Sequence, residues 1–300
     1  MPETAAIGGS FPPQVKSFGR AAVLLALLFV VPLFRLAVFA AASDLHSYIL
    51  LIPALCLYLA WLEKPRLSRT LTTPAMRTGL VFVAGGLAMT VWHWCAPAHP
   101  GADSLAQIMA AFVLFLAGAG FMILGGGLMR QLAFPFGLLV FMVPMPDVLR
   151  DGIETGLQQG SAMVAGWMFA ASDLPVLQDD LTFKLPGISL RVAPECSGIH
   201  STMVLFITSL VAGKFFLQQP WKRAVLCLAV IPLALARNAF RIFVLGELCV
   251  HIGPGMIDSP IHRHGGPLFF VLSLVPFLLL LYVLGKYWRP VSGASENLYE

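Results

Sequence analysis

Long apolar segments recur along the whole chain and constrain its fold more than any other feature of the sequence. Eight of them are long enough to cross a bilayer, at residues 18–42, 46–62, 78–95, 105–127, 131–147, 197–217, 224–249 and 267–285. The chain has a mean hydropathy of +0.83 and only 11% charged residues, whereas soluble domains carry roughly 25%. This composition excludes a water-soluble globular protein and a disordered chain. The sequence therefore predicts an all-α integral membrane protein with about eight transmembrane helices.

The basic residues predict the orientation of these spans. If residues 1–17 are a cytoplasmic N-terminal tail, then Arg150, Lys184, Arg191 and Arg263 lie on the outer side. The cytoplasmic segments carry three times as many basic residues, namely Lys16, Arg20, Lys64, Arg66, Arg69, Arg77, Arg130, Lys214, Lys222, Arg223, Lys286 and Arg289. This positive-inside bias predicts that both termini are cytoplasmic. The first apolar segment is too long for the core of a signal peptide, so we expect it to remain as a helix.

Residues 148–195 interrupt the pattern of spans and predict an extracytoplasmic cap. Residues 150–172 are apolar mainly in their second half, which favours an amphipathic helix that lies on or dips into the outer face. A ninth span is the less favoured alternative, because it would invert everything downstream. Alternating apolar and polar residues around Leu185-Pro186-Gly187 predict a short hairpin.

These segments predict one multi-pass membrane domain over residues 18–289. Residues 295–300 resemble the start of a viral-protease site used for tag removal, and we exclude them from the fold.

Ionisable residues inside a span are costly and mark candidate functional positions. The seventh span contains Arg237, Asn238, Arg241 and Glu247, all in its outer half in the predicted orientation. Arg237 and Arg241 are four residues apart and therefore share one helix face. Two interpretations are open at this point: a functional group near the outer surface, or arginines that extend to the outer lipid headgroups.

Cys196 differs from the other four cysteines by its polar surroundings. It precedes Ser197, Gly198 and His200 at the predicted extracytoplasmic start of the sixth span. The free N–H groups and the dipole at a helix start favour a thiolate, and the same N–H groups can hold an oxyanion. A small buried cysteine at a helix start is the alternative interpretation.

Three histidines, His251, His262 and His264, occur within fourteen residues before the last span. Their spacing relative to carboxylates defines no metal site, so we predict neither a metal nor a cofactor. A histidine, a cysteine and an arginine at one membrane depth are the groups that thiol acyl transfer needs, as acid/base, nucleophile and oxyanion stabiliser.

Three motifs in this order resemble the exosortase/archaeosortase family: Cys196-Ser197-Gly198, then Asn238-Ala239-Phe240-Arg241, and His262 followed four positions later by Gly266. The resemblance covers roughly residues 45–285. It implies a membrane cysteine transpeptidase or protease with its active site at the extracytoplasmic face of a bacterial inner membrane. It also implies roles for three residues, with Cys196 as nucleophile, Arg241 as transition-state stabiliser and His262 as acid/base.

Two features depart from the pattern of the family. His200 occupies a position that is often arginine in relatives, and His264 competes with His262 for the role of acid/base. We rank His262 first, His200 second and His264 third, and we expect Gly266 to permit close helix packing. The remaining supporting residues are Ser197, Gly198, Arg237 and Asn238.

The resemblance implies exported protein substrates whose C-terminal sorting signal has a Pro-Glu-Pro-like motif, a hydrophobic helix and a basic tail. It is closest to the short members that have no fused C-terminal domain. Hydrolysis and transfer to an acceptor such as a glycolipid or polysaccharide both stay open. Membrane lipid is the other expected partner, and nucleic acid is not expected. The alternative function is a transporter or exopolysaccharide-export component with a charged pathway through Arg237, Arg241 and Glu247; that function would survive loss of Cys196.

Overall fold

The computed structural model describes residues 13–64, 73–95, 101–172, 174–193, 197–253, 255–256 and 266–286. The chain divides into two compact units, Met1–Arg150 and Asp151–Glu300, and each is described by itself. Five of the described helices are long and apolar enough to cross a membrane, namely Met76–Cys95, Ala102–Ile123, Ile199–Phe216, Pro220–His251 and Gly266–Lys286. The prediction of an all-α integral membrane protein is confirmed.

The described part of the first unit is built from helices and short 3₁₀ turns. Its helices are α1 (Pro13–Leu28), α2 (Val30–Ala42), α3 (Ile52–Leu62), α4 (Met76–Cys95), α5 (Ala102–Ile123), α6 (Gly125–Gln131) and α7 (Ala133–Leu138). A 3₁₀ turn over Ser47–Leu51 leads into α3, and another over Leu139–Met142 continues α7.

Prolines lie next to two sharp bends between consecutive helices, one inside the predicted span 18–42 and one at the start of the predicted span 131–147. Helices α1 and α2 meet at 74°, and α6 meets the segment Ala133–Met142 at 70°. Pro32 is the third residue of α2, so it lacks the N–H that would bond to Leu28, the last residue of α1. Pro135 has the same relation to Gln131, the last residue of α6.

The number of spans depends on how these breaks are counted. If each bent pair is one span, the described helices that could cross a membrane rise from five to seven. The apolar segment Ser47–Leu62 is shorter than these. The predicted total of eight therefore stays a prediction.

Helices α4 and α5 pack closely through small residues. A Cβ added at Gly79 would lie 3.0 Å from the carbonyl oxygen of Gly118, and one added at Gly118 would lie 3.1 Å from that of Gly79. The backbones approach this closely only because neither residue has a side chain, as is common between helices in lipid.

The second unit combines helices with a small sheet. Its helices are α8 (Asp147–Ala170, which begins four residues before the unit), α9 (Ile199–Phe216), α10 (Pro220–Leu228), α11 (Val230–His251) and α12 (Gly266–Lys286). Its strands are β1 (Leu177–Asp179), β2 (Thr182–Leu185) and β3 (Ile188–Arg191), which pair antiparallel in the order β1-β2-β3.

The predicted hairpin is present, with a further strand before it. Leu185 pairs with Ile188 across the turn Pro186-Gly187, and Gly187 has the positive φ of 81° that this turn needs. The unpredicted strand β1 joins β2 through a second tight turn, in which Asp180 has a φ of 51°. Aspartate tolerates this left-handed conformation better than most residues.

The sheet packs its inner face against helices α8 and α11. Phe183 is fully buried and its ring centroid lies 5.3 Å from that of Phe169 on α8. Gly246 on α11 leaves room for the same Phe169 ring, since an added Cβ would lie 2.5 Å from its Cζ atom. The sheet is therefore held on two helices.

Helix α8 confirms the predicted amphipathic helix, beginning at Asp147 rather than at residue 150. It is not among the helices that could cross a membrane. One face is buried, and the opposite face exposes large apolar side chains, namely Val148, Leu149, Met163 and Trp167. An exposed apolar stripe of this kind suits a helix at a membrane surface.

Candidate active site

Six of the ten predicted site residues lie on two neighbouring helices of the second unit or in the turn that precedes one of them. Ser197 and Gly198 form the turn that precedes α9, and His200 is in its first turn. Arg237, Asn238 and Arg241 lie on α11, which packs against α9. Cys196, His262 and His264 lie outside the described residues, so their predicted roles stay predictions.

The turn before α9 consists of the buried Ser197 and the half-buried Gly198, and Gly198 has a conformation that only glycine adopts readily. Ser197 is 1% exposed. Gly198 is the residue before the helix, and its φ of 66° and ψ of 21° lie in the left-handed region. A residue with a Cβ pays roughly 1–2 kcal/mol in this region, so the local backbone explains the glycine of the first motif.

Asn238 binds this turn directly. Its Nδ2 donates a short hydrogen bond to the carbonyl oxygen of Ser197. Its Oδ1 accepts from Nε and Nη2 of Arg237, at 3.2 and 3.1 Å. Because Oδ1 is held by the guanidinium, the amide nitrogen must face Ser197, and the side chain, 4% exposed, has one orientation.

Arg237 binds the same turn as Asn238. Its Nη2 donates to the carbonyl oxygen of Gly198 at 3.1 Å and to Oγ1 of Thr202 at 3.2 Å. The side chain is only 7% exposed, and its Nη1 is buried with no hydrogen-bond partner among the described residues. The alternative in which Arg237 extends to the outer headgroups is therefore wrong.

We call these two side chains the Arg237–Asn238 clamp. The clamp leaves no space for a side chain at position 198: an added Cβ would collide with Asn238 Oδ1 and would lie 2.7 Å from Arg237 Nη2. The carbonyl oxygen of Gly198 also accepts hydrogen bonds from Ser201 and Thr202 in the first turn of α9. The two backbone units that follow Cys196 are thus fixed by side chains from α11 and α9.

A carboxylate that the sequence analysis did not select also reaches this turn. Ser197 Oγ donates to Oε1 of Glu154 on α8 at 3.4 Å. In the sequence, Glu154 is one of several acidic residues in the polar half of the amphipathic helix. No local signal separates it from Asp151, since its contact joins residues 43 positions apart.

The other predicted polar residues of α11 divide into two groups. Arg241 lies one turn after Arg237 and is half-buried, as is His200 on α9. Glu247 pairs with His251, the last residue of α11, with Oε2 and Nε2 3.1 Å apart. Glu247 and His251 thus interact with each other near the end of the helix. Among the described residues no three histidine, cysteine or acidic side chains are grouped as a metal site would require.

One expectation about the last span is wrong. Gly266 is the first residue of α12, and a Cβ built on it would meet no atom within 4 Å. Close packing against a neighbouring helix therefore does not explain this glycine in the described structure. Its position at the start of the helix leaves it exposed instead.

Comparison with known proteins identifies the family of the chain. The sequence profile of the transmembrane exosortases (Exosortase_EpsH) matches residues 39–279, a region that contains both the clamp and the turn it binds. No curated protein and no solved structure matches the chain. The matched region covers well over half of the sequence, so the chain belongs to the transmembrane exosortase family.

Proposed function

We propose that this exosortase is a membrane cysteine transpeptidase or protease that cleaves the C-terminal sorting signal of exported proteins. Cys196 is the nucleophile, Arg241 stabilises the oxyanion or the thiolate, and His262 is the acid/base. The signal consists of a Pro-Glu-Pro-like motif, a hydrophobic helix and a basic tail.

The observation that carries the proposal is the Arg237–Asn238 clamp. Its hydrogen bonds end on the carbonyl oxygens of Ser197 and Gly198, which directly follow Cys196 in the chain. A catalytic group must be held within about 0.5 Å of its productive position by supporting contacts. A buried clamp on the two residues after a cysteine is an arrangement suited to that task.

The proposed chemistry proceeds in two steps. His262 takes the thiol proton of Cys196, and the sulfur attacks the scissile carbonyl carbon while the carbonyl oxygen becomes an oxyanion beside Arg241. The C–N bond then breaks, the leaving amine takes the proton from His262, and a thioester remains on Cys196. Water or an acceptor nucleophile attacks the thioester and releases the thiol, which gives hydrolysis or transfer, respectively.

The proposed location is the extracytoplasmic face of a bacterial inner membrane, with both termini in the cytoplasm. The basic residues support this orientation by the positive-inside rule. In that orientation α9 begins on the outer side, where an exported protein would present its signal.

The test is conversion of a reporter protein that ends in the sorting signal, in membranes that contain the wild type or Cys196→Ala. We expect Cys196→Ala and Cys196→Ser to leave the reporter uncleaved while the variants accumulate in the membrane as the wild type does. Cys95→Ser is the matched control, because Cys95 is exposed and has no role in the proposed chemistry. Normal cleavage by Cys196→Ala would refute the proposal, and export activity that survives the loss of Cys196 would favour the transporter alternative.

A thiol-labelling experiment adds a second readout. A maleimide supplied from outside should label Cys196 before the buried Cys56 and Cys249. The experiment uses a Cys95→Ser background, because the exposed Cys95 would otherwise contribute signal. Labelling that is unchanged in Cys196→Ala would contradict the assignment.

A further inference from the structure

Strand β3 forms one edge of the small sheet, and its outward backbone groups are open. Within the hairpin, Val192 N donates to the carbonyl oxygen of Leu181 at 2.9 Å. Bonded and non-bonded pairs alternate in an antiparallel ladder, so Ile188, Leu190 and Val192 face β2. Ser189 and Arg191 therefore direct their N–H and C=O groups away from the sheet. No backbone group in the described part of the chain bonds to them.

This edge is exposed but firmly supported. Ser189 and Arg191 are both exposed, whereas their neighbours Leu190 and Val192 are 6% and 3% exposed and belong to the core between the sheet, α8 and α11. The backbone of β3 is thus anchored on one side, and its hydrogen-bonding groups are free on the other. An extended peptide can add to such an edge as a further strand.

The two edges of the sheet differ in charge. At the β1 edge, Asp179 pairs with Lys184 at 3.2 Å, and Asp180 follows in the turn. At the β3 edge, Arg191 has no ion pair with any residue that the structure describes. An acidic peptide would be attracted to Arg191 at the β3 edge, whereas Lys184 is already paired with Asp179 and Asp180 adds a negative charge near β1.

The β3 edge is also continuous with the segment that carries the cysteine. Arg191 precedes Cys196 by five residues, a distance that extended chain covers in at most about 18 Å. A peptide of similar length bound alongside β3 can therefore reach the thiol.

From these observations we propose that the outer edge of β3 binds the substrate as an added β-strand, through the N–H and C=O groups of Ser189 and Arg191. The occupant is an extended, acidic peptide that precedes the cleavage point. This inference rests on the proposed function for the identity of the peptide. A motif in which one residue stands between two prolines is compatible with this binding mode. Alternate residues of an added strand bond to the neighbouring strand, so the middle residue can bond to β3. The two prolines then face the new outer edge of the sheet, where a missing N–H is tolerated.

Ser189→Pro tests the proposal, because it removes one outward N–H and leaves the bonds between β2 and β3 in place. The readout is reporter cleavage in membranes, with KM and kcat measured separately. We expect KM to rise by about 3–10-fold, the effect of one lost hydrogen bond, with kcat unchanged within about twofold. Ser189→Ala loses the hydroxyl but keeps the backbone N–H, so KM should be higher in Ser189→Pro than in Ser189→Ala, and Arg191→Pro should repeat the effect of Ser189→Pro.

A crosslinking experiment tests the same edge without catalysis. In a Cys196→Ala, Cys95→Ser background, Ser189→Cys is combined with reporters that carry one cysteine at successive positions of the signal. Strand addition predicts disulfide crosslinks, formed under an added oxidant, at every second reporter position.

The outcomes separate the two proposals. An unchanged KM in both proline variants, or crosslinks without the two-residue period, would overturn strand addition even if the wild type cleaves the reporter. Cleavage by Cys196→Ala would instead refute the proposed function, whatever the edge variants do. A general loss of thermal stability in both proline variants leaves the crosslinking pattern as the deciding measurement.

Discussion

Gly198→Ala should disable the protein through the geometry of the turn that follows Cys196. Alanine at a φ of 66° costs roughly 1–2 kcal/mol in backbone strain. Its Cβ would also collide with Asn238 Oδ1 and approach Nδ2 to 2.9 Å and Arg237 Nη2 to 2.7 Å. These are the atoms that hold the turn, so the methyl group and the clamp cannot occupy their present positions together.

The expected magnitude follows from what must move. If Asn238 is displaced, its bond to Ser197 and the bond from Arg237 to Gly198 are both weakened, at about 0.5–1.5 kcal/mol for the neutral bond and about 1.5–3 kcal/mol for the bond from the charged guanidinium. With the backbone strain, the local cost is about 3–6.5 kcal/mol. A displacement of about 1 Å at the nucleophile is sufficient to lower the rate on the order of 10²-fold. The loss should appear mainly in kcat.

Gly156→Ala is the matched control for this experiment. Gly156 lies inside α8, two residues after Glu154, and an added Cβ there meets no atom within 4 Å. We expect it to keep full activity and to raise stability slightly, because alanine favours a helix over glycine. Reporter cleavage in membranes and thermal unfolding in detergent would be measured for both variants. More than half of the wild-type rate in Gly198→Ala would refute the reasoning.

Four further predictions concern other residues of the structure. Arg241→Lys should lower the cleavage rate on the order of 10²–10³-fold, as for a lost oxyanion donor, without lowering thermal stability. Arg237→Lys should lower both the cleavage rate and the thermal stability, because one ammonium group cannot replace the bonds from Nε and Nη2. Glu154→Gln keeps an acceptor for Ser197 and should retain more cleavage activity than Glu154→Ala, and equal rates would mean that the contact at 3.4 Å is unimportant. His262→Ala should abolish cleavage while His200→Ala and His264→Ala retain part of it; an active His262→Ala together with an inactive His200→Ala would make His200 the partner of Cys196. Gly118→Ala should destabilise the first unit by about 1–3 kcal/mol in thermal unfolding, whereas Gly85→Ala, whose Cβ would be in ordinary contact at 3.6 Å, should not.

Hydropathy and turn chemistry were sufficient to predict much of this fold. The apolar segments predicted the helices, and Pro186-Gly187 predicted the hairpin with its position in the chain. They did not predict the broken spans, because an average over a window is insensitive to one proline in an apolar segment. The cause of each break is local, because Pro32 and Pro135 each lack the N–H that would bond to the last residue of the preceding helix.

The candidate site was predictable in its residue types but not in its contacts. The cost of placing Arg237 and Asn238 in a span identified them as exceptional in the sequence. That Asn238 donates to Ser197 and that Glu154 accepts from it are long-range facts, across 41 and 43 positions. One sequence contains no local signal for such pairs, and the choice between a headgroup contact and a buried contact for Arg237 required the structure.

The buried charge of Arg237 has a consequence for the turn that it holds. Placing a charged side chain inside a span costs about 2.5–3.5 kcal/mol of insertion free energy. Each hydrogen bond to a charged group stabilises the folded state by about 1.5–3 kcal/mol. Arg237 makes such bonds to Gly198, Thr202 and Asn238, so its burial is offset only while the turn is in place. If the turn opens, a cation with fewer partners is left in an apolar surrounding. Opening is therefore opposed by more than the loss of the turn's own bonds, and the segment after Cys196 should be ordered before any substrate binds.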